Sequence, residues 1–167
     1  MEKIAYFEDM NAIANKYWNS RNEFEATKDK IYEDYGYDSD EMKQYYAKAK
    51  EIESNNPYTP GEYKALRMYN ESINYEYDEL MLNYEYDKLI LNCSIVGFWD
   101  SEIEDFINCL KTAGVKSFVY IDNSTALMDN IHGFSENGFV FDSLYTREEK
   151  QFLNHVTTYR GIRFVRK

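Results

Sequence analysis

The chain is short of the residues that cross-link or interrupt a fold, with two cysteines, two prolines and seven glycines in 167 residues. Cys93 and Cys109 are too few and too far apart for a disulfide framework or a CxxC redox pair, so we expect buried thiols in a reducing compartment. The sequence also lacks a long uncharged apolar run, a basic and then apolar N-terminal segment, and a lipid-anchor signal. These absences exclude a membrane span and predict a cytoplasmic protein.

Residues that carry chemistry are scarce as well. His132 and His155 are the only histidines, and neither has a cysteine or histidine partner at metal-ligand spacing. The glycines lack the spacing of a phosphate-binding loop, and no serine or cysteine stands in a recognisable triad motif. We therefore expect no metal, no cofactor and no catalytic residue, and we predict that the protein is not an enzyme.

One alternative to that prediction lies in the segment Asp122-Asn123-Ser124-Thr125. It follows a predicted strand and precedes a predicted helix, a position at which α/β proteins often bind ligands. A small enzyme would use a pocket beside Asp122, Ser124 and His132. N-capping of the helix is the simpler interpretation, because it requires only one of the four side chains in the segment.

What the chain has in excess is carboxylate and tyrosine. It contains 30 Asp and Glu against 19 Lys and Arg, a formal net charge of -11, and 17 tyrosines. Residues 1–94 carry twenty acids and eleven bases, whereas the stretch from Ser143 carries two acids and six bases. The chain therefore has a large acidic body and a small basic tail, and its 44% hydrophobic content is typical of a folded protein.

A heptad row of apolar residues predicts one helix from Glu2 to about Tyr35, which Gly36 ends. The row consists of Met10, Tyr17, Phe24 and Ile31, with Ala14, Trp18 and Tyr32 beside it. A second helix should begin at Asp38 or Ser39, because Asp38 and Glu41 resemble a capping box, and residues 55–57 should end it.

A third helix begins at a clear signal, with Thr59 as N-cap, Pro60 at the first helical position and Glu62 reaching back to the cap. No further glycine or proline interrupts it before about Asn92. At that extent the helix would be about 45 to 50 Å long, too long for a small domain to cover. We expect it to project, to form an antiparallel hairpin with the first helix, or to form a homodimer through the long helices.

After Cys93 the pattern changes to α-β-α-β-β. We predict a helix from Asp100 to Gly114, a strand over 115–121, a helix ending near Gly138, and strands over 139–145 and 161–165 joined by a connection over 146–160. The apolar faces of the two helices are formed by Ile103, Phe106, Ile107 and Leu110 and by Leu127, Met128, Ile131 and Phe134.

These elements predict an α+β fold class. A long helical N-terminal part, either a helical hairpin or three helices, precedes a small α/β C-terminal unit with a three-stranded sheet and helices on one face. We place the boundary between an acidic helical domain, residues 1–94, and a small α/β domain, residues 95–167.

A nine-residue echo is the most distinctive local feature. Residues 74–82 read Asn-Tyr-Glu-Tyr-Asp-Glu-Leu-Met-Leu, and residues 83–91 read Asn-Tyr-Glu-Tyr-Asp-Lys-Leu-Ile-Leu. On a helix such a segment buries its aliphatic residues and presents tyrosine and carboxylate, a surface suited to lysine and arginine. The predicted partner-binding residues are Tyr75, Glu76, Tyr77, Asp78, Glu79, Tyr84, Glu85, Tyr86 and Asp87.

The last 70 residues or so carry a family resemblance, in the runs 104–107, 113–118, 124–128, 134–138 and 161–164. In these runs the chain resembles small uncharacterised proteins of phages and conjugative elements of Gram-positive bacteria. Small acidic proteins on such elements often block host defence nucleases. The resemblance therefore implies a non-enzymatic inhibitor of the anti-CRISPR type in a bacterial host cell, whose partner is a basic nuclease such as a type II CRISPR effector.

Two further interpretations remain open. The basic tail could contact nucleic acid directly, although such residues also protect strand edges. The residues concerned are Arg147, Lys150, Arg160, Arg163, Arg166 and Lys167. The protein could also be a dimeric regulatory or scaffold protein of a mobile element, in which the acidic face is merely solvated.

Overall fold

The structure is a computed structural model that describes residues 4–74, 100–120, 125–150 and 156–167. Its elements are α1 (Ala5–Glu25), α2 (Lys28–Tyr35), α3 (Asp40–Ser54), α4 (Pro60–Asn74), α5 (Asp100–Thr112), β1 (Ser117–Tyr120), α6 (Leu127–Glu136), β2 (Phe139–Lys150) and β3 (Val156–Arg166). The predicted α+β class is confirmed.

The chain forms two compact units, a helical unit of residues 8–58 and an α/β unit of residues 59–167 with residues 1–7. Helix α4 therefore belongs to the same unit as the sheet. The domain boundary that we predicted at residues 94 and 95 lies outside the described residues, and the domain division stays a prediction.

The helical unit buries few side chains. Within residues 8–58, all of which the structure describes, the buried ones are Met10, Ala14, Met42 and Tyr45. Phe24 of α1 stacks on Tyr45 of α3 with ring centroids 4.7 Å apart and an interplanar angle of 5°. The heptad row thus points inward at its start, whereas Trp18 and Tyr32 beside it are 36% and 53% exposed.

The first predicted helix is interrupted. Thr27 donates both its backbone N–H, at 3.0 Å, and its hydroxyl, at 2.7 Å, to the carbonyl oxygen of Phe24, and this tight turn separates α1 from α2. A threonine hydroxyl that satisfies a local carbonyl competes with the helical pattern. Gly36 ends α2 as predicted, because its φ of 82° lies in the left-handed region.

The predicted start of α3 and the predicted capping box of α4 are confirmed, whereas the predicted cap by Asp38 is wrong. The Ser39 hydroxyl accepts a hydrogen bond from the Met42 N–H at 3.1 Å, so Ser39, rather than Asp38, is the N-cap of α3. In the capping box of α4 the Thr59 N–H donates to Glu62 Oε2 at 2.8 Å and the Glu62 N–H donates to Thr59 Oγ1 at 3.3 Å. The structure describes α4 to Asn74, and its predicted continuation to Asn92 lies outside the described residues.

The three strands form an antiparallel sheet in the order β1-β3-β2. The predicted antiparallel pairing of the last two strands is confirmed, but their lengths were underestimated. Residues 146–150 and 156–160, predicted as a connection, pair with each other, from Thr146 opposite Arg160 to Lys150 opposite Val156. The β-branched residues among them, including Thr157 and Thr158, favour this extended ribbon.

A cluster of aromatic rings forms the core of the α/β unit. Phe118 of β1 lies 5.9 Å from Phe106 of α5, 5.3 Å from Phe134 of α6, 5.2 Å from Phe139 of β2 and 5.3 Å from Phe164 of β3, measured between ring centroids. All five rings are at most 1% exposed. One phenylalanine on the shortest strand therefore joins two helices and two strands.

Helix α6 departs from its prediction at its N-terminal end. Its N-cap is Ala126, which has no side chain to accept a hydrogen bond, so the expected cap does not form within the described residues. Met128, predicted to be on the apolar face, is 70% exposed, whereas Phe134 is buried. Asn130 takes the inward position one turn into the helix, and its Nδ2 donates to the Tyr120 hydroxyl at 2.8 Å.

Candidate interaction surface

The partner-binding residues predicted from the echo, Tyr75 to Glu79 and Tyr84 to Asp87, lie outside the described residues. The same chemistry is present in a described part of the helical unit. Residues 29–41, which we call the α2–α3 corner, comprise most of α2, the turn at Gly36 and the start of α3.

Aromatic side chains are exposed throughout this corner. Helix α2 has no buried residue at all, and Ile31 is its only half-buried apolar one. Tyr32 and Tyr35, one helical turn apart, are 53% and 59% exposed, and Tyr37 in the following turn is 64% exposed. Three large amphipathic rings are therefore available to a partner within six residues of sequence.

The same corner carries a dense negative charge. It contains six exposed carboxylates and one lysine, Lys30. The carboxylates are Asp29, Glu33, Asp34, Asp38, Asp40 and Glu41. Among the described ion pairs of these groups is that of Asp40 with Lys43, whose nitrogen lies 2.7 Å from the carboxylate oxygen. Exposed carboxylates at such density attract cationic groups and repel anionic ones.

Local hydrogen bonds and a small core hold the corner in place. The Ser39 hydroxyl donates to the Gly36 carbonyl oxygen at 2.9 Å while it caps α3, which fixes the turn between the two helices. Met42 and Tyr45, the next inward positions of α3, are buried. A turn fixed on both sides presents its exposed side chains at a small entropic cost.

The sequence contained a signal for this surface. Residues 32–38 read Tyr-Glu-Asp-Tyr-Gly-Tyr-Asp, a mixture of tyrosine and carboxylate similar to that of the echo. The heptad row places Tyr32 beside an apolar face, and Gly36 marks a helix end, so the pattern of apolar residues does not single out this mixture. The exposure of the three rings is visible only in the structure.

The structure describes part of the alternative enzyme pocket. Asp122 and Ser124 lie outside the described residues, while His132 lines an open groove of about 420 Å³ between α5 and α6. The His132 side chain is 74% exposed, and its Nδ1 lies 3.3 Å from a carboxylate oxygen of Glu136, one turn along α6. Glu104 and Asp129 also line the groove, and the described lining residues include no serine, threonine, cysteine or lysine.

The basic tail lies on the β2–β3 ribbon and after it. Arg147 and Lys150 belong to β2, Arg160, Arg163 and Arg166 belong to β3, and Lys167 follows. Arg160 and Arg163 point to opposite faces, because they are an odd number of residues apart on one strand. The six residues therefore do not form one basic face.

Arg163 is engaged within the sheet. Phe141 pairs with Phe164 and Ser143 pairs with Arg163, so Asp142 is the extra residue of a β-bulge. An Asp142 carboxylate oxygen lies 3.6 Å from Arg163 Nε and accepts a hydrogen bond from the Ser143 hydroxyl at 2.9 Å. This pair reduces the charge that Arg163 offers to a nucleic acid.

Cys109 behaves as the buried thiol expected from the sequence, with 3% of its surface exposed. Burial raises the pKa of Cys109 to about 11, a hydrogen bond with Tyr6 opposes the shift, and the Glu62 carboxylate adds to it. The thiol is therefore protonated and a poor nucleophile at neutral pH. The position of Cys93 lies outside the described residues.

Two further kinds of feature are absent from the described ranges. Within them, no group of three or more histidine, cysteine or acidic side chains is arranged to hold a metal ion. None of the helices described is both long enough and apolar enough to cross a membrane.

Comparison with known proteins places the chain in a family. Neither the curated proteins nor the solved structures include a significant match. A family described as a domain of unknown function, DUF7698, matches residues 64–165, from α4 to the end of β3. Because the match covers more than half of the chain, the protein belongs to the DUF7698 family.

Proposed function

We propose that the protein is a non-enzymatic acidic inhibitor of a phage or mobile element, which binds a host defence nuclease of the anti-CRISPR type. It would occupy the basic surface on which the nuclease binds nucleic acid. The observation that carries the proposal is the exposed alternation of tyrosine and carboxylate in the α2–α3 corner of a chain with a net charge of -11.

Electrostatics supply the physical reason. The affinity of a nucleic-acid-binding channel for its ligand is largely a matter of phosphate charge, so a folded surface with closely spaced carboxylates competes for the same lysines and arginines. Tyrosine adds contact area and hydrogen bonds while losing little conformational entropy. A binding function of this kind requires neither a cofactor nor a catalytic group.

The test uses a type II CRISPR nuclease as the probe. Binding to the guide-free nuclease is measured between roughly 50 and 500 mM salt, and DNA cleavage is measured after guide RNA has been added. We expect inhibition by the unaltered protein, binding that weakens steeply with salt, and competition by guide RNA. Charge reversal of the echo by Glu76→Lys, Asp78→Lys, Glu85→Lys and Asp87→Lys should abolish inhibition.

The matched control reverses four exposed carboxylates outside the echo and outside the corner, at Asp9, Glu23, Glu51 and Asp129. This control has the same net charge and should retain most of the inhibition. Full inhibition by the charge-reversed echo variant would refute the proposal that the protein mimics nucleic acid. So would a binding affinity that does not change with salt concentration.

A second candidate function rests on the ribbon. Strands β2 and β3 continue beyond β1 as a two-stranded ribbon on which Arg160 is exposed, and two-stranded ribbons can enter the major groove of DNA. Fluorescence anisotropy with a labelled duplex tests it, with Arg160→Glu as the variant. Tight binding of the duplex that Arg160→Glu abolishes would favour this function over inhibition of a nuclease.

A further inference from the structure

We infer that the α2–α3 corner is a docking surface for an arginine-rich and lysine-rich protein segment, with Tyr32, Tyr35 and Tyr37 as its anchors. The inference rests on the proposed function, because it names the partner chemistry and the contact within the described part of the chain. It adds a contact at residues 29–41 to the contact that we predict for the echo.

The first argument is the exposure of the rings. A helix normally buries an apolar stripe, yet α2 buries no residue, and its two tyrosines are each more than half exposed. Tyrosine is enriched in recognition surfaces, because a rigid ring contributes area and a hydroxyl at low entropic cost. The corner thus places anchors where a partner can reach them.

The second argument is the charge around the rings. The carboxylates of Glu33 and Asp34 lie between Tyr32 and Tyr35 in sequence, and Asp38 follows Tyr37. A guanidinium group bonds to a carboxylate in a bidentate manner and stacks on an aromatic face, so arginine satisfies both kinds of group at once. An anionic ligand would be repelled, and a purely apolar one would leave carboxylates desolvated without partners.

The chain itself contains an example of this pairing. The Arg21 guanidinium carbon lies 5.1 Å from the centroid of the Trp18 ring, and Arg21 Nε lies 2.8 Å from a carboxylate oxygen of Glu25. A cation that stacks on a ring and bonds to an acid is therefore already accommodated on α1 of the same unit. Tyr32 and Tyr35 offer the same combination to an external arginine.

The experiment uses the full chain labelled with ¹⁵N, and a ten-residue arginine peptide as the probe. Chemical-shift changes are mapped at 150 mM salt, and a ten-residue glutamate peptide serves as the negative probe. We expect the largest shifts in residues 29–41 and a saturable affinity. No saturable binding, or shifts spread evenly over exposed acids throughout the chain, would overturn the inference.

Two variants separate a docking surface from a diffuse charge effect. Replacing Tyr32, Tyr35 and Tyr37 with alanine leaves the charge unchanged and should weaken binding about ten- to a hundredfold, through loss of the ring contacts. Reversal of Glu33, Asp34 and Asp38 to lysine should weaken it at least as much. A control reversal of Asp9, Glu23 and Glu51 to lysine has the same net charge and should weaken it only a few-fold.

Circular dichroism is used to check that each variant is folded. We expect each one to fold, because all these side chains are exposed. If the control weakens binding as strongly as the corner reversal, the inference is wrong. The same variants, tested in the nuclease assay, distinguish the docking surface from the inhibitor function. Inhibition that survives both corner variants refutes the docking surface but leaves the inhibitor function, whereas arginine-peptide binding without any nuclease inhibition refutes only that function.

Discussion

The two units of this protein differ in where most of their described aromatic side chains lie. In the α/β unit, Phe106, Phe118, Phe134, Phe139 and Phe164 are at most 1% exposed and contact one another, although Phe141 is 54% exposed. In the helical unit Tyr45 is buried, whereas Trp18, Tyr32, Tyr35, Tyr37 and Tyr46 are at least 36% exposed. Aromatic rings therefore form a large core in the α/β unit and are mostly exposed in the helical unit.

The family match lies in only one of the two units. It starts at residue 64 and ends at residue 165, so it lies within the α/β unit and excludes residues 8–58. The well-packed unit is what the chain shares with its family. The helical unit, with few buried side chains and many exposed ones, lies outside the matched residues.

The largest expected effect is the loss of stability when a phenylalanine is replaced with alanine, and it should differ between the two units. Phe118→Ala should lower the free energy of unfolding by about 3 to 5 kcal/mol, because it leaves a cavity between four other rings. Phe24→Ala should cost less than half as much, because Phe24 is only half-buried against Tyr45. Urea unfolding followed by circular dichroism measures both, and equal costs would contradict the contrast between the units.

The next largest effect concerns the close approach of α4 to α5. A Cβ on Gly61 would overlap the backbone oxygen of Glu102 and lie 3.0 Å from Asp105 Cβ, so Gly61→Ala should destabilise the α/β unit by about 1 to 3 kcal/mol.

Gly133→Ala is the comparison for that substitution. Its Cβ would lie 2.7 Å from the Cδ1 atom of Ile103, which can rotate away, so thermal unfolding should show a smaller loss. The interpretation of the α4–α5 contact fails if Gly61→Ala is the milder of the two.

Removal of a helix cap should cost about the same stability in both units. Thr59→Ala in the α/β unit removes the N-cap hydrogen bond from the Glu62 N–H. Ser39→Ala in the helical unit removes the N-cap hydrogen bond from the Met42 N–H and also the bond to the Gly36 carbonyl oxygen. Each should cost about 1 kcal/mol, within a range of about 0.5 to 2, because a cap acts within its own first turn. Denaturant midpoints for the two variants should therefore agree, and a difference greater than about 2 kcal/mol would show that one cap also supports tertiary packing.

A pH-dependent effect at alkaline pH should come from Cys109 in the α/β unit. Its pKa is raised from 9.0 to about 11 in the folded chain, so the folded state retains the proton after the unfolded state has begun to lose it. The resulting stabilisation is complete below about pH 9 and is lost as the pH rises towards 11. The difference in unfolding free energy between the unaltered chain and Cys109→Ala should shrink between pH 8 and 10.5, and parallel curves would contradict the shift.

Much of the local structure followed from the sequence. Ser39, Thr59 with Glu62, Gly36 and Gly114 mark helix ends where predicted, because capping and left-handed glycines act over three or four residues of chain. The apolar face of α5 was likewise predicted correctly, since Ile103, Phe106, Ile107 and Leu110 are all buried.

Tertiary structure decided the rest. The central position of β3, the pairing of residues 146–150 with residues 156–160, and the exposure of Tyr32 and Met128 depend on which other element packs against each segment. Apolar and aromatic residues at helical spacing are compatible with burial, but a side chain is buried only where another element covers it. The sequence by itself determined the fold class, the start of α3 and α4 and the acidic charge, while packing decided which tyrosines are buried and which are exposed.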